Sequence, residues 1–338
     1  MELIPDLPEE IGLECLTRLS YTTHRVGSQV CQRWRELLLS KEFYYQRKKE
    51  GKTHKLACLV YSVPIQTVSD GRKQVSSTSY GISVFDPVSS TWRKLDSIPK
   101  YPNGLPLFSQ LASVEGKLVL IGGWDPVSYD PLKEVFIYDF TTQLWKQGKD
   151  MPSKRSFFAA SSIKGKIFIA GGHDEWKNAL KSAWVYDVRE DNWSELTQMS
   201  QERDECEGLS VGNEFWVVSG YGTEHQGVFE ESVEAYDTEL NQWKRIESKW
   251  GVSRCPRGCV GVEKNGGLMS WADLDGRVKV GACAVELGEL TLVTGSAYQG
   301  ATQGFFLVDM KLGQKKLVPV DVPDEFSGFV QSGCCVEI

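Results

Sequence analysis

Ile163-Lys-Gly-Lys-Ile-Phe-Ile-Ala-Gly-Gly172, followed by Val185-Tyr-Asp187 and then Trp193, is the stretch that decides the fold. Its first part is an apolar run closed by two glycines; its second ends in an aromatic residue and Asp, with Trp six residues later. Short apolar runs punctuated by glycine read as strands rather than helices. The same tail recurs as Phe85-Asp86 with Trp92, Tyr138-Asp139 with Trp145, and Tyr236-Asp237 with Trp243. Successive copies lie roughly fifty residues apart. The glycines keep step as Gly122-Gly123, Gly171-Gly172 and Gly220 with Gly222. A further unit shows as Leu292-Val-Thr-Gly-Ser296 and Leu307-Val-Asp309, its Trp lost in the Lys315-Lys316 region.

One such unit exposes both faces of a small sheet and cannot bury them alone, so the units must pack radially and close a ring. Strand, glycine pair, aromatic-Asp and Trp at this period resemble the kelch repeat, and the resemblance implies an all-β propeller. From Trp250 to Val280 the pattern thins: Gly258-Cys-Val-Gly-Val262 and Leu268-Met-Ser-Trp271 read as strands without a Trp tail. The expectation is six blades with a shortened fifth, five blades being the alternative. The C-terminal run Gly328 to Ile338 is expected to pair with Leu56 to Tyr61 and so remove the open edges. Gln66 to Ser79, polar and rich in Ser, reads as a loop inside the first blade. These readings divide the chain into a unit over 1-50 and a propeller over 51-338.

Eleven Trp and thirty-two Gly against five Met favour β repeats over a helical bundle. A net charge of −7 leaves no excess cation to exchange for the counterions of a phosphate backbone, so nucleic acid is not an expected partner. Nine cysteines show no framework spacing; Cys255 with Cys259 and the adjacent Cys334-Cys335 are the close pairs, and neither has a zinc-like second pair. Free thiols in a reducing compartment and no metal or other cofactor are expected. The start, Met1 to Glu10, is acidic and contains Pro, unlike a secretory signal, and no run has the length of a membrane span. A soluble cytoplasmic or nuclear protein, with no membrane partner, is the expectation.

The first fifty residues differ from the rest. Asp6 is placed to cap a helix with Pro8 in its first turn and Glu9 and Glu10 at the positive end of its dipole. Ile11, Cys15 and Leu19 form a stripe with Leu16 alongside; Val26, Val30, Trp34 and Leu37 form a second helical face. Ser40 can cap a third short helix that Gly51 ends. The cluster Arg47-Lys48-Lys49, with Glu50 beside it, reads as a solvated helix end. Three short amphipathic helices bury little surface, and a helical partner would complete them.

Leu7-Pro8-Glu9-Glu10, Cys15-Leu16-Thr17-Arg18-Leu19, Val30-Cys31-Gln32-Arg33-Trp34-Arg35 and Phe43 occur in the order and at the distances of an F-box, which this segment resembles from residue 3 to about 46. The resemblance implies docking on Skp1 and thereby on a cullin-RING ubiquitin ligase. By position it makes Leu7, Pro8, Ile11, Leu16, Leu19 and Val30 the contacts to Skp1, with Trp34 holding the helices together. Ser20-Tyr21-Thr22-Thr23-His24 departs from the family pattern, where many members keep Leu-Pro and an apolar residue.

In the ring, loops after the glycine-paired strands and before the next blade carry aromatics and arginines, the composition of a protein-recognition surface. Trp124, Arg155, His173, Trp176, Arg203, Tyr221, Arg257 and Tyr298 are the substrate-binding candidates, the arginines meeting acidic groups; the plainer reading of Arg155, Arg203 and Arg257 is bonding between neighbouring loops. Catalysis is the rival. Kelch enzymes need clustered His or carboxylate ligands, whereas only His173 and His225 of the four His fall in the ring, in different blades, and a non-catalytic adaptor is expected.

The whole chain resembles plant F-box/kelch proteins, through Ala170-Gly-Gly-His-Asp-Glu-Trp-Lys-Asn178, Arg155-Ser-Phe-Phe158, Glu202-Arg-Asp-Glu-Cys206 and the ending Gln331 to Cys334. The resemblance implies a substrate receptor of an SCF ubiquitin ligase, with phenylalanine ammonia-lyase or type-B response regulators of cytokinin signalling as targets. A kelch scaffold that tethers a partner without degrading it is the alternative.

Overall fold

The computed structural model describes residues 3-63, 79-247, 249-251, 254-263, 265-310 and 316-338. The expected loop at Gln66 to Ser79 lies outside them except for Ser79, as does Lys315.

The N-terminal unit holds four α-helices among the described residues, α1 (Glu9–Thr17), α2 (His24–Val30), α3 (Gln32–Leu39) and α4 (Lys41–Lys49), rather than three. The second helical run breaks at Cys31, whose extended backbone (φ −157°, ψ 167°) starts a new helix while its Sγ accepts from the Trp34 amide. That break turns Val26 and Val30 outward and lets Trp34 and Leu37 pack on Leu3, Leu16, Leu38 and Phe43. The Trp34 indole donates to the Leu3 carbonyl at 2.6 Å, tying the chain start to α3. Asp6 does not cap α1: it has a left-handed φ of 63°, and Pro8 occupies the cap position without a side-chain bond. Ser40 does cap α4, its Oγ accepting from the Phe43 amide at 3.2 Å.

Five four-stranded antiparallel sheets follow among the described residues. Blade 1 runs Val330–Glu337, Lys55–Ser62, Tyr80–Asp86, Thr91–Lys94 from the axis outward. Blade 2 comprises Gln110–Val114, Lys117–Ile121, Val135–Asp139 and Leu144–Gly148; blade 3 comprises Ala159–Ile163, Lys166–Ala170, Ala183–Asp187 and Asn192–Leu196. Blade 4 comprises Glu207–Val211, Glu214–Val218, Val233–Asp237 and Gln242–Ile246; blade 5 comprises Val280–Glu286, Leu290–Ser296, Gly304–Asp309 and Leu317–Pro319. The expectation of six blades is therefore corrected to five. The segment expected to form the extra blade makes only the hairpin Val260–Val262 with Leu268–Ser270, then turns through two 3-10 segments instead of outer strands. Its Trp271 and Val278 are buried with Trp216, Val233, Val293 and Phe306, so it fills the space between blades 4 and 5.

Each repeat residue has one physical task. The Asp ending the third strand accepts from the two amides of the following turn, as Asp139 does from Thr141 and Thr142 and Asp237 from Glu239 and Leu240. The Leu240 and Glu239 amides hold the Asp237 carboxyl below its usual range. The Trp of the outer strand packs against the aromatic of its own blade, Tyr186 and Trp193 stacking at 4.7 Å. Its indole donates to the chain leaving the preceding blade: Trp145 to Asp96 O, Trp193 to Lys149 O, Trp243 to Thr197 O, and Trp92 across the closure to Asp321 O. Gly123, Gly172 and Gly220 are demanded by close approach. At Gly172, with φ 79°, a Cβ would stand 2.3 Å from the Ser156 carbonyl oxygen.

A substitution follows from that approach. Gly172→Ala should destabilise the ring by about 2 kcal/mol or more, because strain adds to a backbone clash. Gly212→Ala, at φ 61° with nothing within 4 Å of the added methyl, should cost about 1 kcal/mol. Thermal unfolding of the two variants checks the order.

Candidate functional site

The strand directions give the propeller two unlike faces. One carries the tight turns Glu115-Gly116, Phe140 to Gln143 and Val188 to Asp191, with Asp86 and Glu337 at strand ends. The other carries the loops after the glycine pairs and the approaches to the inner strands.

The helical unit sits on the first face through bonds from several elements. Tyr45 Oη donates to Glu115 at 2.8 Å, Lys48 pairs with Glu337 at 2.7 Å, Thr53 donates to the same carboxylate, and Arg25 donates to Gln143. Glu115 also takes the Arg189 guanidinium, and Tyr21 Oη donates to Asp86 at 3.3 Å. Arg47 is buried, its Nη1 donating to His24 Nε2 and its Nη2 to the Lys52 carbonyl. The cluster at 47-49 is only in part a solvated helix end: Lys48 and Lys49 are exposed beside Glu50, but Lys48 pairs with the last strand and the fold turns Arg47 inward. A cavity of about 260 Å³ lies along the seam, bounded by His24, Phe43 and Arg47 on one side and Glu115, Asp139 and Arg189 on the other.

Away from the seam, the helical unit presents apolar groups to solvent. Ile11 is 50% exposed, Val26 67% and Val30 61%, and Pro8 is exposed beside half-buried Leu7. Leu16 is corrected: at 1% exposure it belongs to the helical core, because α1 turns it toward Leu38 and Phe43, and half-buried Leu19 packs on the same cluster. Val26, which the sequence reading set on one helical face with Val30, Trp34 and Leu37 without singling it out as a contact, is a further apolar surface residue.

On the loop face the candidates separate sharply. Arg155 and Arg203 are corrected from surface contacts to buried girders. Arg203, with 0% exposure, donates to Ser219 O at 2.7 Å, Ser232 O and Ser232 Oγ, and pairs with buried Glu234 at 3.2 Å. Arg155 donates in the same way to Gly171 O, Ser182 O and Ser182 Oγ but lacks the carboxylate, and burial pushes its pKa down to about 10. Each holds the far ends of its blade's second and third strands. His173 is also buried rather than presented. Trp124 Nε1 donates to Ser156 Oγ at 2.7 Å, Ser156 Oγ lies 2.9 Å from His173 Nε2, and His173 Nδ1 lies 2.8 Å from Asp204. The order Ser-His-Asp is that of a hydrolase triad. Here Ser156 is fully buried and its oxygen is occupied by the indole, so the chain of bonds ties blade 2 to blade 3 and blade 3 to blade 4.

What remains accessible is Trp176 (74% exposed), Tyr298 (68%), half-buried Trp124 and Tyr221, and half-buried Arg257. Tyr221 donates to Glu205 at 3.2 Å. The fold adds Phe108 and Phe157, which the sequence reading did not single out. Their rings lie 4.7 Å apart beside Trp124, and both residues have left-handed backbone (φ 56° and 57°), a strained placement for a bulky side chain. Their signal in the sequence was an apolar residue just before each inner strand, where a polar loop would serve. Behind them, a cavity of about 300 Å³ runs between the inner strands and is walled by Gln110, Ser113, Ser161, Ser210, Gln331 and Ser332. Among the described residues, no group of three or more His, Cys, Asp or Glu is arranged to hold a metal.

A helical unit fixed to one face of a five-bladed kelch-like ring can be compared with known proteins. The F-box domain family model matches residues 4–46, and the KLHDC2/KLHL20/DRC7 Kelch-repeats domain model matches residues 66–262. The F-box/kelch-repeat protein At1g15670 of Arabidopsis thaliana is 34% identical, with the match covering 100% of both chains. The chain belongs to the F-box/kelch-repeat family. Two further Arabidopsis thaliana relatives are the F-box/kelch-repeat protein At2g44130, 38% identical over 81% of this chain and 72% of that one, and SKIP20, 37% identical over 74% and 67%. Neither matching domain model is that of an enzyme.

Two expectations follow for this F-box/kelch chain. Burial, then the nearby Arg47 cation, lowers the His24 pKa from 6.5 to about 4. The unfolded chain therefore takes up that proton first, so the stabilisation is complete above pH 6.5 and is lost as pH falls toward 4, by on the order of 3 kcal/mol at the lower end. His24→Gln should flatten that part of the stability-pH curve measured by denaturant unfolding. On the loop face, Arg203→Gln should lower the stability, followed by thermal unfolding, by about 3 kcal/mol because it leaves Glu234 buried without its cation. Trp176→Ala should leave it within about 0.5 kcal/mol of the parent.

Proposed function

We propose that this protein is the substrate-recognition subunit of an SCF-type ubiquitin ligase, its F-box binding a Skp1-like protein and so a cullin-RING scaffold, its propeller holding a protein target for ubiquitination and proteasomal degradation. The observation that carries the reading is the bonded seam. It holds the F-box on the propeller face opposite the loop surface, leaving the apolar patch at Pro8, Ile11, Val26 and Val30 open for a helical partner while the loops face away. Such an arrangement needs no chemistry in the chain itself. It raises the local concentration of the target's lysines beside the charged conjugating enzyme, and a stiff connection confines where those lysines can be.

For the target, the resemblance over Arg155 to Phe158, Ala170 to Asn178 and Glu202 to Cys206 points to phenylalanine ammonia-lyase or type-B cytokinin response regulators. The cytoplasm or the nucleus is the compartment in which either would be met.

Ile11→Asp combined with Val30→Asp places charge on the apolar patch without touching the helical core. Affinity for a Skp1-like protein, read by co-purification, should fall by about a thousandfold, on the scale of two hot-spot losses. Target half-life in plant cells should shorten on overexpression of the parent and lengthen with the double variant. Retained Skp1 binding would overturn the receptor reading; a half-life that never changes would favour a tethering scaffold.

A further inference from the structure

The approaches to four inner strands share one backbone turn, marked by a residue with left-handed φ: Phe108 (56°), Phe157 (57°), Glu205 (51°) and Gly258 (70°). Aligned on that turn, the residue just before it is Leu107, Ser156, Asp204 or Arg257, and the one before that is Pro106, Arg155, Arg203 or Pro256. Arg155 and Arg203 thus share the place from which a guanidinium reaches the carbonyls of its own blade. Arg257 stands one residue later, in register with Leu107, Ser156 and Asp204. The inward bonds made by the other two arginines are not open to it.

Its guanidinium carbon instead lies 4.2 Å from the Phe157 ring centre and 5.7 Å from that of Phe108. Among the described residues no carboxylate comes within ion-pair distance of Arg257, and its Nε is shut from solvent with no hydrogen-bond partner. The nearest acids are engaged: Glu207 accepts from the Gly258 and Gly208 amides, and Glu205 from Tyr221 Oη and Cys255 Sγ. Gln331 meets the same spot from the last strand. Its Oε1 accepts from the Phe108 amide at 3.0 Å, which fixes the amide plane, while its Nε2 is buried without a partner. Arg257 and Gln331 both line the axial cavity.

We infer that Arg257, held over Phe157 and over the Phe108 whose amide Gln331 fixes, forms a carboxylate-binding site at the loop-face mouth of the axial cavity, and that it receives an Asp or Glu side chain of the target polypeptide. The inference rests on the reading that this face holds a protein substrate. The Arg257 guanidinium, half-buried and with its terminal nitrogens free of hydrogen bonds and ion pairs among the described residues, calls for an anionic acceptor, and a planar guanidinium held flat over aromatic rings is oriented for a planar carboxylate. The rings of Phe108, Phe157 and Trp124 shield one side from water, which strengthens the pair, and exposed Trp176 and Tyr298 offer footing for the flanking residues. The arrangement separates two jobs that the shared residue type conceals: Arg155 and Arg203 build the face, and Arg257 reads what arrives on it.

The test uses the full chain co-purified with a Skp1-like protein, and short C-terminally amidated peptides with random flanks around a central Asp or Glu. The same peptides with Asn or Gln, and a set with free C-terminal carboxyls, complete the array. The parent protein should prefer the acidic set by about tenfold (1.4 kcal/mol), a preference that shrinks with added salt and disappears in Arg257→Gln. Equal retention of acidic and amide peptides, a preference that needs a free C-terminus, or an acidic preference that survives in Arg257→Gln would each overturn the site. Because the acidic-to-amide change lies in the peptide, the comparison decides even if Arg257→Gln folds poorly. Skp1 co-purification is read in the same samples: its retention with no acidic preference removes this site alone, whereas its absence from the parent removes the receptor reading.

Discussion

One pairing, made by the last strand of the chain, governs the rest of the structure. Val330–Glu337 lies antiparallel to Lys55–Ser62, with Leu56 opposite Val336 and Cys58 opposite Cys334, and becomes the innermost strand of the first blade. Without it blade 1 would show an open edge to the axis, and the faces of blades 1 and 5 would lose their cover. The Trp92 indole, bonded to Asp321 O, seals the same junction from the rim. The ring is therefore closed by residues more than two hundred positions apart, at a loop-closure cost that only the burial of a whole ring of interfaces offsets.

The same closure creates the seam. Glu337 ends the closing strand at the face where the F-box lies, and it takes Lys48 and Thr53 there. His54 and Ile338 exchange backbone bonds at 2.8 Å, so the residues that link F-box to propeller are themselves strand-paired to the end of the chain. An F-box of four short helices has a small core of its own, and its position is set by these contacts more than by a tether. The placement of the F-box relative to the loop face is thus a property of ring closure.

Much of this was legible in the residues. The Asp that caps each outer turn, the Trp six residues on and the paired glycines act over a few residues or at one fixed neighbour, so a spacing rule captures them. The F-box motif was legible for the same reason. The blade count was not, because Trp271 and Val278 look like strand residues until blades 4 and 5 are present to bury them. Nor was the break at Cys31, which helical periodicity alone runs straight through.

Local chemistry written in the sequence determined the strands, the turns that join them, the family of the repeat and the presence of an F-box. The tertiary structure alone decided which arginine is girder and which is free, since Arg155, Arg203 and Arg257 occupy similar stretches and differ by one position in register. It also decided that Leu16 belongs inside, that His173 is a strut between blades, and that Arg47 and Lys48 join the two units. Each of these outcomes depends on a partner from a distant part of the chain, and burial beside that partner, not residue type, sets what a side chain can do.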